Sequence, residues 1–459
     1  MSIRVLHLND AGIRVSGRGS AESGDTRSGL EYGTHYSSPG YALIDPPRIE
    51  FGVGACAQSR LYPLNTYHQF WHRLDMEPFS RPVAHFRHNA DIAFSHLKEV
   101  ASDTELDGDV IMLVPGSFSR QQLAVLLGLA RQCPFRVRAL VDSGVAAGST
   151  IGEVPAEGLI HIELQLHQVV LTRLRQQDDE ILRDTVAVVP AAGRVQMMES
   201  VLQLMTSAFV QQCRFNPQHN ARSEQFLFDC LPEWLDGEVS RKGGQEAGEE
   251  SDSHAGLISL QHHDTVHRAR ILPDSVRSRL APYYMKITQQ LATLDPGHRC
   301  PLVLAPALAR LPGFNEHFRD APDQAPRDIR IVTVEAAADS CLAHGEQLLG
   351  NTESVRFHTR LPRARGATVA AASSRENPSH LLAGHHASRL QDRMVVKLGD
   401  VQAEIIFDAG HYFLRSAATG VRINGIAAED SQRLQLGDSI SASGSDQHLQ
   451  LIRVEDGQH

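Results

Sequence analysis

The amino-acid sequence predicts a layered α/β fold over about the first 360 of its 459 residues, followed by a separate all-β sandwich. The first observation is the stretch from Asp109 to Ala147. A buried-strand run, Val110-Ile111-Met112-Leu113-Val114, breaks at Pro115-Gly116-Ser117-Phe118, and Leu123, Leu126, Leu127 and Ala130 then recur at helical steps. A second apolar run, Val137 to Val141, ends at Asp142-Ser143-Gly144-Val145-Ala146-Ala147, whose small residues suit a closely packed helix. Strand, helix, strand, small-residue helix is the pattern of a right-handed parallel crossover. The second observation is a change of apolar period from 3.6 to 2 near residue 388. The third is length, which suffices for two or three separate cores.

Taken in order, Ile3–Leu8 and Gly12–Val15 read as a hairpin, and Ser16–Ser38, rich in Gly, Ser and charge, as a mobile loop. Short strands are expected at Tyr41–Ile44 and Ile49–Val53, and a helix at Ala90–Ala101. After the crossover, Gly158–Leu174 reads as two strands, with helices at Met197–Phe209 and Gln225–Leu235. Residues 238–256 hold almost no large apolar side chain and read as a disordered surface insertion. A hairpin at Leu257–Ile271 precedes a helix from Pro273 to Leu291, which Pro282 should kink or interrupt. Leu302–Leu304 and Ile329–Val334 are buried-strand patterns, and Ala336–Leu349 is a closing helix. Residues 361–388, rich in Pro, Arg, Ala, Ser and Asn, read as a linker. Beyond it, short strands recur about every ten residues, the spacing of a small sandwich.

Net charge is 44 − 54 = −10, which argues against a general nucleic-acid or anionic-membrane binder. Only four cations are lysine, at 98, 242, 286 and 397. The six cysteines are scattered without a C-x-x-C pair and are expected to be reduced core thiols. No run approaches the roughly 20 apolar residues of a membrane span. Met1 leads straight into a strand, so a cytoplasmic protein is expected. His263 and His267 are four apart, but in a hairpin their rings diverge, so they are expected to be surface histidines rather than metal ligands.

The string VPGSFSRQQLAVLLGLARQ, followed by RALVDSGVAAG, resembles the DnaK-type heat-shock chaperones and, more broadly, the actin-like ATPase superfamily. The resemblance implies a two-lobed, ribonuclease H-like architecture: lobe I about 1–148 and 335–360, lobe II about 149–334, with Mg-ATP between them. It also implies glycine turns that give backbone N–H groups to phosphates. At the first turn His7 stands at the family's aspartate and Asn9 at its glycine, with Asp10 as a nearby substitute. At the second, Glu163 takes the aspartate position, while Gln165, Leu166 and His167 replace the glycines. At the adenosine turn, LVLAPALARLP carries Pro306 and Ala307 in place of Gly-Gly, with Arg310 close behind. Trp71 or His72 stands where the family places a phosphate-facing lysine, and Asp142 stands at its water-orienting residue.

The C-terminal stretch, with Val421-Arg422-Ile423-Asn424-Gly425-Ile426 and then Leu434-Gln435-Leu436-Gly437-Asp438, resembles a forkhead-associated (FHA) domain over 389–459. The Ser and Arg with which that family reads phosphothreonine are missing, leaving Arg415 and Arg422 as the nearby cations. With all three glycine turns altered, the expectation is a non-hydrolysing scaffold. It would need no cofactor and would dock a protein partner through 389–459, without nucleic acid or membrane. The alternative is a divergent ATPase using Mg-ATP, with Asp142 catalytic and Asp10, Glu163, Pro306, Ala307 and Arg310 around the nucleotide.

Overall fold

The computed structural model describes residues 3–17, 36–81, 83–242, 256–262, 265–319, 327–349, 354–363, 379–383, 386–391, 393–398, 401–408, 411–415, 421–423, 426–427, 432–434, 439–442 and 448–452. It is a mixed α/β protein of several sheets, divided into two compact units, Met1–Ala364 and Arg365–His459.

The first unit opens with an antiparallel meander, β1 (Arg4–Asn9), β2 (Gly12–Gly17) and β3 (Tyr36–Pro39). Gly12 has φ +138, and a Cβ there would lie 2.2 Å from the Ser38 carbonyl oxygen, so the β1–β2 turn needs glycine. A small sheet follows, β4 (Ala42–Asp45), β5 (Arg48–Phe51) and β6 (Thr66–Tyr67), with the single turn of α1 (Gly52–Cys56) between the last two. Helix α2 (Asn89–Asp103) leads to β7 (Asp109–Val114), every residue of which is buried, as expected of a strand covered on both faces. Ser119 and Gln122 form a capping box at the start of α3 (Arg120–Ala130). Then come β8 (Arg136–Asp142), buried from Ala139 onward, and α4 (Ser143–Ser149), buried throughout. The small residues of α4 have a steric reason: a Cβ on Gly144 would lie 2.8 Å from Thr172 Cβ, and one on Gly148 would lie 2.3 Å from Leu174 Cδ1.

A second meander follows, β9 (Leu159–Leu164), β10 (Gln168–Gln177) and β11 (Glu180–Pro190). Helices α5 (Arg194–Cys213) and α6 (Ala221–Lys242), the hairpin β12 (Leu257–His262) with β13 (Thr265–Arg270), and α7 (Pro273–Leu294) come next. Strand β14 (Leu302–Leu304), helices α8 (Pro306–Ala309) and α9 (Phe314–Arg319), and β15 (Ile329–Ile331) lead into α10 (Val334–Ala343) and α11 (Gly345–Leu349). Finally, β16 (Arg356–His358) and β17 (Arg360–Pro362) close the unit.

The two large sheets share one plan. Their orders are β16-β8-β7-β1-β2-β3 and β15-β14-β9-β10-β11-β17. In each, the first strand of the meander has two later parallel strands on its open side, β7 and β8 beside β1, and β14 and β15 beside β9. Between the sheets lies a core of Val5, Ile111, Leu113 and Val141 from one and Leu159, Leu174 and Val303 from the other, with Val145 of α4 and Cys341 of α10. Side chains on the opposite pleat, such as Leu6, Leu8 and Met112, face a second core with α2 and α3. On the outer face of the second sheet, Ile160, Ile162 and Leu171 pack with α5, α6 and α7.

In the second unit the orders are β19-β18-β27-β26-β23-β24 and β20-β21-β22-β25. Here β18 is His380–Ala383, β19 His386–Arg389, β20 Arg393–Leu398, β21 Val401–Asp408 and β22 His411–Arg415, and β23 is Val421–Ile423, β24 Ile426–Ala427, β25 Gln432–Arg433, β26 Ser439–Ala442 and β27 His448–Ile452. Leu381, Leu398, Ile405, Leu414, Ile440 and Leu451 form its core.

Several expectations are corrected. The strand Glu180–Pro190 is not among the expected elements, although Val186-Ala187-Val188-Val189 within it is an apolar run; charged and polar residues, Arg183-Asp184-Thr185, interrupt its middle. Helix α6 continues to Lys242, into the stretch read as a disordered insertion, whose residues 243–255 lie outside the described residues. Helix α7 runs through Pro282 without a break, held by buried Leu280, Tyr284 and Ile287 on its inner face. The closing helix is instead two, divided at His344. Of the expected loop Ser16–Ser38, the ends belong to β2 and β3, and residues 18–35 lie outside the described residues. The expected linker has strands at both ends: Leu361, in β17, is buried and paired with β11, and Leu381, in β18, is buried in the second unit's core. Residues 364–378 between them lie outside the described residues, as do Asn424, Gly425, His263 and Asp264.

Candidate functional site

Three of the residues singled out from the sequence, Asp10, Asp142 and Glu163, are buried near one another: Glu163 bonds to Asn9 and Ser143, the residues next to Asp10 and Asp142. Each stands where a strand ends: Asp10 follows β1, Asp142 closes β8, and Glu163 is near the end of β9. Because β1, β7 and β8 are parallel, the first two share one end of the first sheet.

Asp10 is 1% exposed. Its Oδ1 accepts from the Leu166 amide and its Oδ2 from the His167 amide at 3.0 Å, so the β1–β2 turn is bonded to the β9–β10 turn. Two imidazoles flank the carboxylate, with His72 Nδ1 and His167 Nδ1 each 3.5 Å from Oδ2. Their rings stack with centroids 5.2 Å apart, and His68 Nδ1 lies 3.0 Å from His167 Nε2. Burial pushes His167 down to about 4 against the pull of Asp10, so it is neutral near pH 7. Of the two residues considered at the family's lysine position, Trp71 is fully buried and donates to His96 Nδ1 at 3.0 Å, whereas His72 faces Asp10.

Glu163 accepts from Asn9 Nδ2 and Ser143 Oγ, both at 2.6 Å, and from Gln165 Nε2 at 3.2 Å. His7 and His161 lie beside it. Burial lowers both imidazoles below their ordinary value. Burial alone would raise Glu163, but the pull of His7 and His161 and the Ser143 and Asn9 bonds outweigh it and hold the carboxyl below its ordinary value. Both ring nitrogens of His7 and Nδ1 of His161 are buried without a hydrogen-bond partner among the described residues.

Asp142 is fully buried. Its Oδ1 accepts from the Gly144 and Val145 amides at 2.9 and 3.2 Å, capping α4, and its Oδ2 accepts from Arg183 Nη1 at 2.8 Å. Burial raises its carboxyl above the ordinary value, against the pull of Arg183 and the Val145 amide. The loop after β7 covers it: a Cβ on Gly116 would lie 2.6 Å from Asp142 Oδ2. Arg183 lies on β11, the strand missed in the sequence, and left no signal there.

Pro306 and Ala307 start α8, just past the end of β14. Since β14 runs parallel beside β9 with Leu304 opposite Ile162, they lie at the same end of the second sheet as Glu163. Pro306 is the first helical residue, where its missing N–H removes a donor that helix starts otherwise offer. Arg310 caps α8 and is exposed.

A second tie joins elements around the first sheet to helices on the second. Arg60 pairs with Glu199 of α5 at 2.7 Å and Glu224 of α6 at 3.4 Å, and its guanidinium lies 4.7 Å from the Phe228 ring centroid. The Arg60 amide donates to Gln225 Oε1 at 2.7 Å, and Gln225 Nε2 donates to the Cys56 carbonyl at 3.4 Å. Arg60 gave no sequence signal, since its partners lie more than a hundred residues away.

The His262–His267 hairpin does not gather ligands: both rings lie against Phe215, and no group of three or more His, Cys, Asp or Glu side chains is placed to hold a metal among the described residues. No helix among the described residues is long and apolar enough to cross a membrane. Comparison with protein-family models gives no match to this chain, and comparison with curated protein sequences gives none.

Proposed function

We propose that this protein is a non-hydrolysing scaffold, built on a degenerate actin/DnaK-like two-lobed domain with an FHA-like docking module for a protein partner. The shared plan of the two large sheets supports the two-lobed reading. The observation that carries the function is Asp142. An ATPase of this kind needs a side chain on the crossover strand free to orient the attacking water. Here that carboxylate is shut behind Gly116, caps α4 and is paired with Arg183. The altered turns agree with it: Leu166 and His167 amides already have an acceptor, and Pro306 has no N–H to give. The docking role of the second unit rests on its two-sheet core and on the absence from the sequence of the family's phosphate-reading Ser and Arg. Phosphorylation of a partner should therefore leave its capture unchanged.

Phosphate release from Mg-ATP by the full chain is expected to equal the buffer background. Release above background that survives purification to homogeneity and disappears in Asp142→Ala, with the variant still folded, would overturn the reading in favour of the ATPase.

A further inference from the structure

We propose that the Leu166 and His167 amides form a small-oxyanion site whose resident ligand is the chain's own Asp10 carboxylate. The inference concerns the same turns as the non-hydrolysing reading and rests on it in one respect, that no external phosphate normally occupies them.

The contact differs from the Asp142 helix cap, where one oxygen takes both amides. Two successive backbone N–H groups each take a different oxygen of one carboxylate. A pair of donors converging in this way suits the O–C–O of a carboxylate and the O–P–O of a phosphate alike. The donors are fixed from behind. The Gln165 amide bonds to the Gln168 carbonyl, and the Arg194 and Val195 amides at the start of α5 bond to the Gln165 and Leu166 carbonyls at 2.8 and 2.9 Å. Gly193 lets α5 approach this closely, since a Cβ there would lie 2.3 Å from the His167 carbonyl carbon. Two further groups line the anion, His72 Nδ1 and His167 Nδ1.

The ligand's own side is as rigid. Asn9 accepts from the Ala11 amide at 2.9 Å through its side-chain oxygen and donates to Glu163 through its side-chain nitrogen. The Gly40 amide bonds to the Ala11 carbonyl at 2.9 Å, and a Cβ on Gly40 would lie 2.5 Å from the Asp10 carbonyl oxygen. A carboxylate held so closely competes as an intramolecular ligand at high effective concentration, so a free anion at millimolar levels cannot displace it. Removing the carboxylate leaves two oriented amides buried without an acceptor, which a small anion can satisfy.

The test uses the full chain as wild type, Asp10→Ala and Asp10→Asn, with sodium acetate and inorganic phosphate as probes and sodium chloride at matched ionic strength as control. Asp10→Ala is expected to melt lower than wild type. Tens of millimolar acetate or phosphate should raise its melting temperature by roughly 3 °C relative to chloride, while wild type does not respond. A folded Asp10→Ala that ignores both anions, or a wild type that responds as strongly, overturns the inference. Where Asp10→Ala fails to fold, amide exchange decides. The Leu166 and His167 amides should be protected in wild type and exchange at least tenfold faster in Asp10→Asn; unprotected amides in wild type, or equal protection in both, overturn it. Mg-ATP turnover by wild type would sink the non-hydrolysing reading and leave the acetate response standing. An unresponsive Asp10→Ala would do the reverse.

Discussion

Asp142→Ala is expected to cost about 2–4 kcal/mol of stability, because it leaves two buried amides without an acceptor, at roughly 1–3 kcal/mol each, and removes the partner of Arg183, whose side chain is 25% exposed. Three donors lose their acceptor at once: the Gly144 amide, the Val145 amide and Arg183 Nη1. Water cannot readily replace it, since the carboxylate is fully buried and the Gly116 loop lies against it. Asp142→Asn keeps an acceptor for the helix cap and loses only the charge facing Arg183, so its loss should be smaller. Urea unfolding followed by tryptophan fluorescence measures this in the first unit alone, since the two tryptophans, Trp71 and Trp234, both lie there. A loss for Asp142→Ala no greater than the ±0.5 kcal/mol typical of surface substitutions would show that the carboxylate is not the structural anchor described.

Acid should destabilise the protein well before its carboxylates titrate. Burial pushes His96 from 6.5 down to about 3, where it receives the Trp71 N–H on Nδ1 and lies 2.7 Å from Ser38 Oγ on Nε2. The folded ring stays neutral while the unfolded ring takes a proton below its ordinary value. The unfolded state therefore binds more protons, and stability is fully present above about 6.5 and falls as pH drops toward about 3. The slope is about 1.4 kcal/mol per pH unit from this one group. His7, His161 and His167 are lowered by the same cause and add in the same direction. Asp142, raised by burial, opposes them as a single group. Denaturation midpoints between pH 7 and 4 should fall steeply for wild type and less steeply for His96→Gln, by about one proton. Parallel pH profiles for the two would contradict the assignment of a buried neutral imidazole at residue 96.

The sequence was most legible where burial is complete. Strands β7 and β8 are apolar on both faces and so stand out as runs, and α4 declares itself by small residues that the second sheet requires. It was least legible where structure depends on partners far along the chain. Strand β11 is interrupted by Arg183-Asp184-Thr185 between its apolar ends, and what fixes Arg183 there is Asp142, 41 residues earlier in the chain. Helix α6 extends into a stretch with no apolar stripe, and α7 keeps its helix through Pro282 because its buried side chains outweigh the lost backbone bond. For the site, residue types were legible and contacts were not. Asp10 and Glu163 could be picked out as acids near two turns. That Asp10 would accept from amides 156 and 157 residues away is a property of how the sheets face one another.

Calorimetric titration of Mg-ATP into the full wild-type protein decides whether the chain keeps its fold without holding nucleotide. No saturable heat, or at most millimolar binding, is expected, because each charge-assisted hydrogen bond missing at the phosphates is worth roughly 1.5–3 kcal/mol and two or three are missing. Stoichiometric binding with a micromolar Kd would contradict it.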